Sequence, residues 1–146
     1  MKSTPPFIGQ ERPDTCAVAC LRMILAHRGT VPSEAELIEV AAMEEAGLDP
    51  QGLARLARDC GLQAVERQLD QSALFELIRR QRFPIVFLYR RILDKVGEGH
   101  AVVALRFSRK FVTFLDPLRG ERRVSIQKFE EARRLIGQWV VVWKSS

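Results

Sequence analysis

Apolar residues recur every three or four positions through the first half of the chain, and this spacing predicts four amphipathic helices. Each predicted helix begins at a residue that commonly caps helices: Asp14 or Thr15, then Ser33 with Glu36 as a capping box, then Asp49 before Pro50, and then Asp70. Glycines are expected to end the first and third helices. The apolar residues that these helices carry are Ala17, Ala19, Leu21, Met23, Ile24, Leu25, Leu37, Ile38, Val40, Ala41, Met43, Leu53, Leu56, Ala57, Leu74, Phe75, Leu77 and Ile78.

The second half of the chain changes to short apolar runs and alternations, which are typical of strands. The predicted strands cover residues 62–67, 84–89, 100–107, 111–115, 121–125 and 137–143. Residues 90–99 are predicted to be a loop, 116–120 a turn, and Ser125 the cap of a short helix through Phe129. Helices followed by an antiparallel sheet predict an α+β fold, with residues 1–146 forming one domain.

Composition narrows the class of protein. The 146 residues are 47% hydrophobic, and they contain no apolar run of the roughly 20 residues that a membrane span needs. Residues 1–10 lack the apolar segment of a secretory signal, so we expect a cytoplasmic protein. Three cysteines and two histidines predict reduced thiols, with no metal site and no cofactor.

The net charge is +5, and much of the excess lies in four arginine pairs at 79–80, 90–91, 122–123 and 133–134. The simplest interpretation is a solvated basic face. No nucleic-acid-binding motif accompanies the pairs, so a nucleic-acid partner is not expected. A docking surface for an acidic peptide or an anionic membrane remains open.

Cys16 is placed where a cysteine can be a nucleophile. At the start of a helix, unpaired backbone N–H groups and the positive end of the helix dipole favour the thiolate. The same N–H groups can donate to an oxyanion beside the sulfur. Taken alone, Cys16 is more simply interpreted as a small buried core residue. Cys20 and Cys60 lack this setting and are expected to be packing residues.

A thiol nucleophile usually needs a base, and the two candidates are His27 and His100. His27 lies in the last turn of the first helix, where a structural role is expected. His100 opens a strand, and a hairpin through residues 108–110 would bring Asp116 to the same open end. Asp116 is then expected to hold the imidazole through Nδ1. Gln10, six residues before Cys16, could supply a second oxyanion donor.

These residues lie in segments that resemble a known family. Residues 10–21 (QERPDTCAVACL), 99–103 (GHAVV) and 116–120 (DPLRG) resemble the motifs of the bacteriocin-processing cysteine peptidases. These double-glycine leader peptidases form cytoplasmic amino-terminal domains of peptide-exporting ABC transporters. The similarity extends over about residues 8–143, with 49–62 similar to the middle of that domain.

The resemblance implies a papain-like fold and cleavage of a leader from a precursor peptide after two small residues. It assigns Gln10 as the oxyanion glutamine, Cys16 as nucleophile, His100 as base and Asp116 as orienting acid. The family usually has Gly after the nucleophile, where this chain has Ala17, and the segment 90–99 is longer and more charged than usual. These 146 residues hold no transporter segments, so the resemblance implies a separate ABC transporter or membrane complex as partner, at the inner face of the membrane.

Two other functions use the same residues. Transglutaminases and acyltransferases share the Cys, His, Asp order but transfer the acyl group to another acceptor. A catalytically idle papain-like domain could instead bind a leader peptide without cutting it.

Overall fold

The computed structural model describes residues 4–41 and 47–144. Within these ranges the helices are α1 Cys16–His27, α2 Glu34–Ala41, α3 Pro50–Asp59, α4 Gln71–Arg79, α5 Arg90–Asp94 and α6 Ile126–Arg134. The strands are β1 Ala64–Gln68, β2 Ile85–Tyr89, β3 Gly99–Phe107, β4 Phe111–Asp116, β5 Gly120–Ser125 and β6 Trp139–Trp143. Met43, predicted to lie on the second helix, is outside the described residues.

The predicted caps of α2, α3 and α4 are confirmed. Ser33 Oγ accepts from the Glu36 N–H at 3.0 Å, and Glu36 Oε1 accepts from the Ser33 N–H at 3.0 Å, which completes the capping box. Asp49 caps α3 and Asp70 caps α4, each through one carboxylate oxygen. Local sequence therefore fixes where these three helices begin.

The strands form one antiparallel sheet in the order β1-β6-β2-β3-β4-β5. Helices α1 and α3 pack on one face, where Leu21 and Leu53 meet the β2 residue Ile85. Helices α4 and α6 cover the other face, where Leu74 and Phe129 join a second core. The α+β prediction is confirmed, and the sheet has helices on both faces because α4 and α6 cross to the side opposite α1.

The predicted loop over residues 90–99 is wrong at its beginning, because α5 occupies Arg90–Asp94. This helix buries none of its residues, so no apolar periodicity marks it. An ion pair between Arg90 Nε and Asp94 Oδ2 at 3.0 Å, one turn apart, supports it instead. Ile92 and Leu93 also pack, partly buried, against the second core, but two adjacent apolar residues give no helical periodicity.

The helix predicted to end at Phe129 runs to Arg134. Its extension is hidden in the sequence because Glu130 and Arg133 occupy positions that face the core. Arg133 is 0% exposed. It donates to both Glu130 carboxylate oxygens at 2.8 Å and to the Leu69 carbonyl oxygen at 3.0 Å. The interpretation of the arginine pairs as a solvated face is therefore wrong for Arg133.

The longest helix in the described ranges, α1, has 12 residues, and none of the described helices could cross a bilayer.

Candidate active site

Cys16 is the first residue of α1, and Thr15 is its N-cap. The Thr15 hydroxyl does not cap the helix. It accepts from the Arg12 N–H and donates to the Arg12 carbonyl oxygen, both at 3.0 Å. With no side-chain cap on α1 in the described structure, the first-turn N–H groups remain available to a negative charge beside Cys16.

The β3–β4 hairpin brings His100 and Asp116 together. Val103 pairs with Leu115, so the two strands end side by side at the open end of the hairpin. His100 Nε2 lies 2.7 Å from Asp116 Oδ1, and the side chains are 4% and 0% exposed. The expected contact through Nδ1 is wrong, because it is Nε2 that reaches the carboxylate from β3. Nδ1 is thereby left free of Asp116, and His100 lines the same cleft as Cys16.

Burial and ion pairing have opposite effects on the pKa values of His100 and Asp116. Burial alone would lower the pKa of His100, but the hydrogen bond to Asp116 and then the contact and charge of Cys16 raise this pKa to about 9. Burial would raise the pKa of Asp116, but hydrogen bonding and the charge of His100, with smaller contributions from Leu118 and Arg122, lower it to about 2. At neutral pH the pair is therefore imidazolium and carboxylate.

Gln10 lies at the same end of the molecule, but its amide group is turned to the chain rather than to the sulfur. Its backbone N–H donates to the Pro117 carbonyl oxygen at 3.0 Å, beside Asp116. Its side-chain Nε2 donates to the Arg12 carbonyl oxygen at 2.8 Å. The amide oxygen is buried and has no hydrogen-bond partner among the described residues. The second hydrogen on Nε2 is the one available to a substrate.

Two residues that the sequence interpretation missed complete the surroundings of Asp116. Arg122 Nη1 donates to Asp116 Oδ2 at 2.9 Å, and Arg122 Nη2 donates to Asp94 Oδ1 at 2.8 Å. A signal for Arg122 existed. It lies two residues before Val124 and so on the same face of β5, and it pairs with Phe114, two residues before Asp116. The sequence carried no comparable signal for Asp94, because it lies on the unpredicted α5.

A cleft of about 380 Å³ opens beside Cys16 and His100. Its walls combine apolar side chains with two carboxylates and a glycine. The lining residues besides the pair are Leu48, Asp49, Pro50, Phe87, Glu98, Gly99, Ile136 and Trp139. A substrate chain lying along this cleft would pass directly over the sulfur.

The other two thiols are in different surroundings. Cys20 is fully buried in the core, and burial, then the charges of Cys16 and Asp116, raises its pKa well above the ordinary value. Cys60 is partly buried at the end of α3, and burial followed by the charge of Asp59 raises its pKa. Both are poor nucleophiles at neutral pH.

The fold is that of C39-type peptidase domains. A putative C39-like peptidase from Bacillus anthracis superimposes with a TM-score of 0.80 at 18% identity, covering 99% of this chain and 96% of that one. The peptidase domain of Streptococcus ComA, a bi-functional ABC transporter involved in quorum sensing, gives 0.77 at 17% identity, with 95% and 97% covered. A double glycine motif protease from an AMS/PCAT transporter, solved with its leader peptide, gives 0.76 at 17% identity, with 99% and 94% covered.

Comparison of the amino-acid sequence identifies the same family as the fold does. The model of the Peptidase C39 family matches residues 4–136, and the chain belongs to that family. An uncharacterized protein of Methanothermobacter thermautotrophicus is 30% identical over 137 residues, which is 93% of this chain and 87% of that protein. The resemblance seen in the motifs is therefore confirmed.

Proposed function

We propose that the chain is a cysteine endopeptidase that removes a leader from a precursor peptide, with Cys16 as nucleophile, His100 as base and acid, and Asp116 as orienting carboxylate. One observation carries the proposal. His100 Nε2 lies 2.7 Å from Asp116 Oδ1, and His100 lines the same cleft as Cys16, the first residue of α1.

The first step forms the acyl-enzyme. A thiolate at Cys16 is stabilised by the imidazolium of His100 and by the first-turn N–H groups of α1. It attacks the scissile carbonyl carbon, and the C–N bond breaks as His100 gives its proton to the leaving amine. Asp116 accepts from Nε2 throughout, so Nδ1 is the nitrogen that transfers the proton.

The second step releases the leader. A water molecule gives a proton to His100 and attacks the thioester, and the Cys16 thiolate leaves. In both steps the carbonyl oxygen becomes negative and needs donors. The backbone N–H of Cys16 and the free amide hydrogen of Gln10 are the proposed donors. Gln10 would have to turn its amide toward the cleft or share it with the Arg12 carbonyl oxygen.

The leader peptide is the proposed substrate because structural neighbours of this chain act in leader-processing transporters. A double glycine motif protease was solved with its leader peptide bound. In this chain the bulky Phe87 and Trp139 line the cleft together with Gly99, and these bulky side chains favour small substrate residues next to the scissile bond. We propose the same double-glycine type of substrate, with an ABC transporter or membrane complex as partner at the cytoplasmic face.

The pH dependence of Cys16 alkylation tests the catalytic pair. Iodoacetamide labelling, read by peptide mass spectrometry, should be fast at Cys16 at about pH 6 to 7 and slow at Cys60 in the same sample. His100→Ala should make Cys16 lose this low-pH reactivity, whereas His27→Ala should leave it unchanged. Equal labelling of Cys16 and Cys60 in the wild type would contradict an activated thiol.

A peptide library carrying Gly-Gly, Gly-Ala and Ala-Ala steps after a helical leader tests the reaction itself. Cleavage after the second small residue, abolished in Cys16→Ala, supports the proposal. Product masses separate hydrolysis from acyl transfer, because transfer to an added amine gives an adduct instead of a free carboxylate. Leader binding without cleavage by a protein whose Cys16 labels slowly would identify a binding domain instead.

A further inference from the structure

Arg122 joins two acidic side chains that the core shields from water. Its Nη1 donates to Asp116 Oδ2 at 2.9 Å and to Asp94 Oδ2 at 3.3 Å, and its Nη2 donates to Asp94 Oδ1 at 2.8 Å. The Asp116 side chain is 0% exposed and that of Asp94 is 4% exposed. Asp116 uses its second oxygen for His100 and for the Leu118 N–H, at 2.7 and 2.9 Å. In every described polar contact of this carboxylate, the partner is thus an N–H group held in place by the fold.

Asp94 belongs to the segment that leads into His100. It lies at the end of α5, and Arg90 Nε at the start of that helix donates to its Oδ2. The Arg90 N–H donates to the Glu98 carbonyl oxygen at 2.8 Å, which closes the segment just before His100. The same segment therefore supplies both His100 and the acid that holds Arg122.

The guanidinium is a planar fork whose amino groups keep fixed directions, so each partner limits how it meets the other. With Asp94 in place, Nη1 of Arg122 is shared between Asp116 and Asp94, and Nη2 donates to Asp94. Without the Asp94 carboxylate, the Arg122 guanidinium would be free to direct both amino groups to Asp116. It would then compete with His100 for that carboxylate. Asp94 touches neither the ring nor Asp116 in the described contacts, so its effect on them passes through Arg122.

We propose, resting on the catalytic roles given above to His100 and Asp116, that Asp94 and Arg122 are positioning residues. Asp94 restrains the Arg122 guanidinium, which shares the Asp116 carboxylate with His100 and so determines how firmly the imidazolium is held. The charged helix before His100 is then part of the catalytic apparatus and not a surface insertion.

Other charged or titratable groups also face this cluster. From α1, Cys16 acts on His100 and Cys20 lies near Asp116. From α5 and the β4–β5 turn, Arg90 and Arg119 approach Asp94, with Arg119 Nε 3.9 Å from Asp94 Oδ2. Asp94→Asn removes the charge that pairs with Arg90 and Arg119 as well as with Arg122, so the effect that passes through Arg122 has to be separated from the rest.

The test measures the pKa of His100 by NMR titration of its ring signals. The chain has two histidines, so His27→Gln and His100→Gln assign the spectrum. Asp94→Asn should lower the pKa of His100 by about 0.5 to 1, as expected for strengthened competition by a nearby cation. Glu121→Gln is the matched control. It also removes one negative charge, next to Arg122 on β5, but Glu121 is exposed and pairs with Arg106, so we expect a much smaller change.

A double-mutant cycle separates transmission through Arg122 from a direct charge effect. In an Arg122→Gln background, Asp94→Asn should lower the pKa of His100 by less than half as much as it does in the wild type. An equal decrease in both backgrounds, or a decrease no larger than that of Glu121→Gln, would overturn the proposal. If Arg122→Gln does not fold, the comparison of Asp94→Asn with Glu121→Gln decides alone.

This readout is independent of peptide cleavage. If no peptide is cut but the His100 pKa responds to Asp94→Asn through Arg122, the positioning role stands and the proposed substrate fails. If Cys16→Ala abolishes cleavage but Asp94→Asn leaves the pKa of His100 unchanged, the peptidase activity is supported and the positioning role is refuted.

Discussion

A rise in pH should weaken the folded protein through one residue, His100. Its pKa is raised from 6.5 to about 9 in the folded state. A group with a raised pKa in the folded protein contributes stability that is fully present below its unfolded pKa and is lost as the pH rises through its folded pKa. The window for His100 therefore runs from about pH 6.5 to about pH 9.

The size of the effect follows from the same two values. Each pKa unit corresponds to about 1.36 kcal/mol, so the full difference is on the order of 3 kcal/mol. The side chain is only 4% exposed, so solvent screening removes little of it. Against a typical free energy of unfolding of roughly 5–15 kcal/mol, a loss of this size is easily measured.

Urea unfolding of the wild type and His100→Gln at several pH values measures this difference. The wild type should lose about 3 kcal/mol relative to the variant between about pH 6 and pH 10. Cys16→Ser should make the loss smaller and move it to lower pH, because the charge of Cys16 contributes to the raised pKa. Parallel pH profiles for the wild type and His100→Gln would refute the reasoning, since an unperturbed imidazole would already be neutral above about pH 7.5.

Two further changes test features outside the site. Arg133→Ala should lower the free energy of unfolding by about 3–5 kcal/mol, because Glu130 would stay buried without its partner. Arg134→Ala, at the exposed neighbouring residue, should change the free energy of unfolding by less than about 0.5 kcal/mol. Similar urea midpoints for the two variants would contradict this prediction. Gly47→Ala should cost about 1–3 kcal/mol, because Gly47 has a φ of +81° and a Cβ there would lie 2.9 Å from the Asp14 carbonyl oxygen. A thermal unfolding midpoint equal to that of the wild type would argue against this strain.

The elements were predictable where the sequence uses short-range signals. The caps at Ser33, Asp49 and Asp70 act on N–H groups three residues away, so a sequence window shows both partners. The β3–β4 hairpin is similarly local, and it was enough to bring His100 to Asp116. Element boundaries moved by only one to three residues in most cases because fraying ends carry weak signals.

The polar interior was not predictable. Arg133 and Arg122 looked like members of surface pairs, because their acidic partners depend on the final packing. Glu130 is three residues from Arg133, but the pair is buried only once α6 meets the carbonyl of Leu69, 64 residues away. Asp94 and Arg122 are 28 residues apart. A sequence reports charge, while the burial that decides what a charge does is a property of the fold.

The place of β6 in the sheet has a consequence for the order in which the molecule can be assembled. β6 follows the other described strands in the chain, yet it lies between β1 and β2. Until residues 139–143 are made, β1 and β2 lack their shared neighbour, and the cleft lacks Trp139. A nascent chain on the ribosome would already carry Cys16, His100 and Asp116 but could not complete the sheet that holds them. We therefore expect thiol reactivity to develop only after β6 has left the exit tunnel, so that no activated nucleophile forms before the sheet is complete.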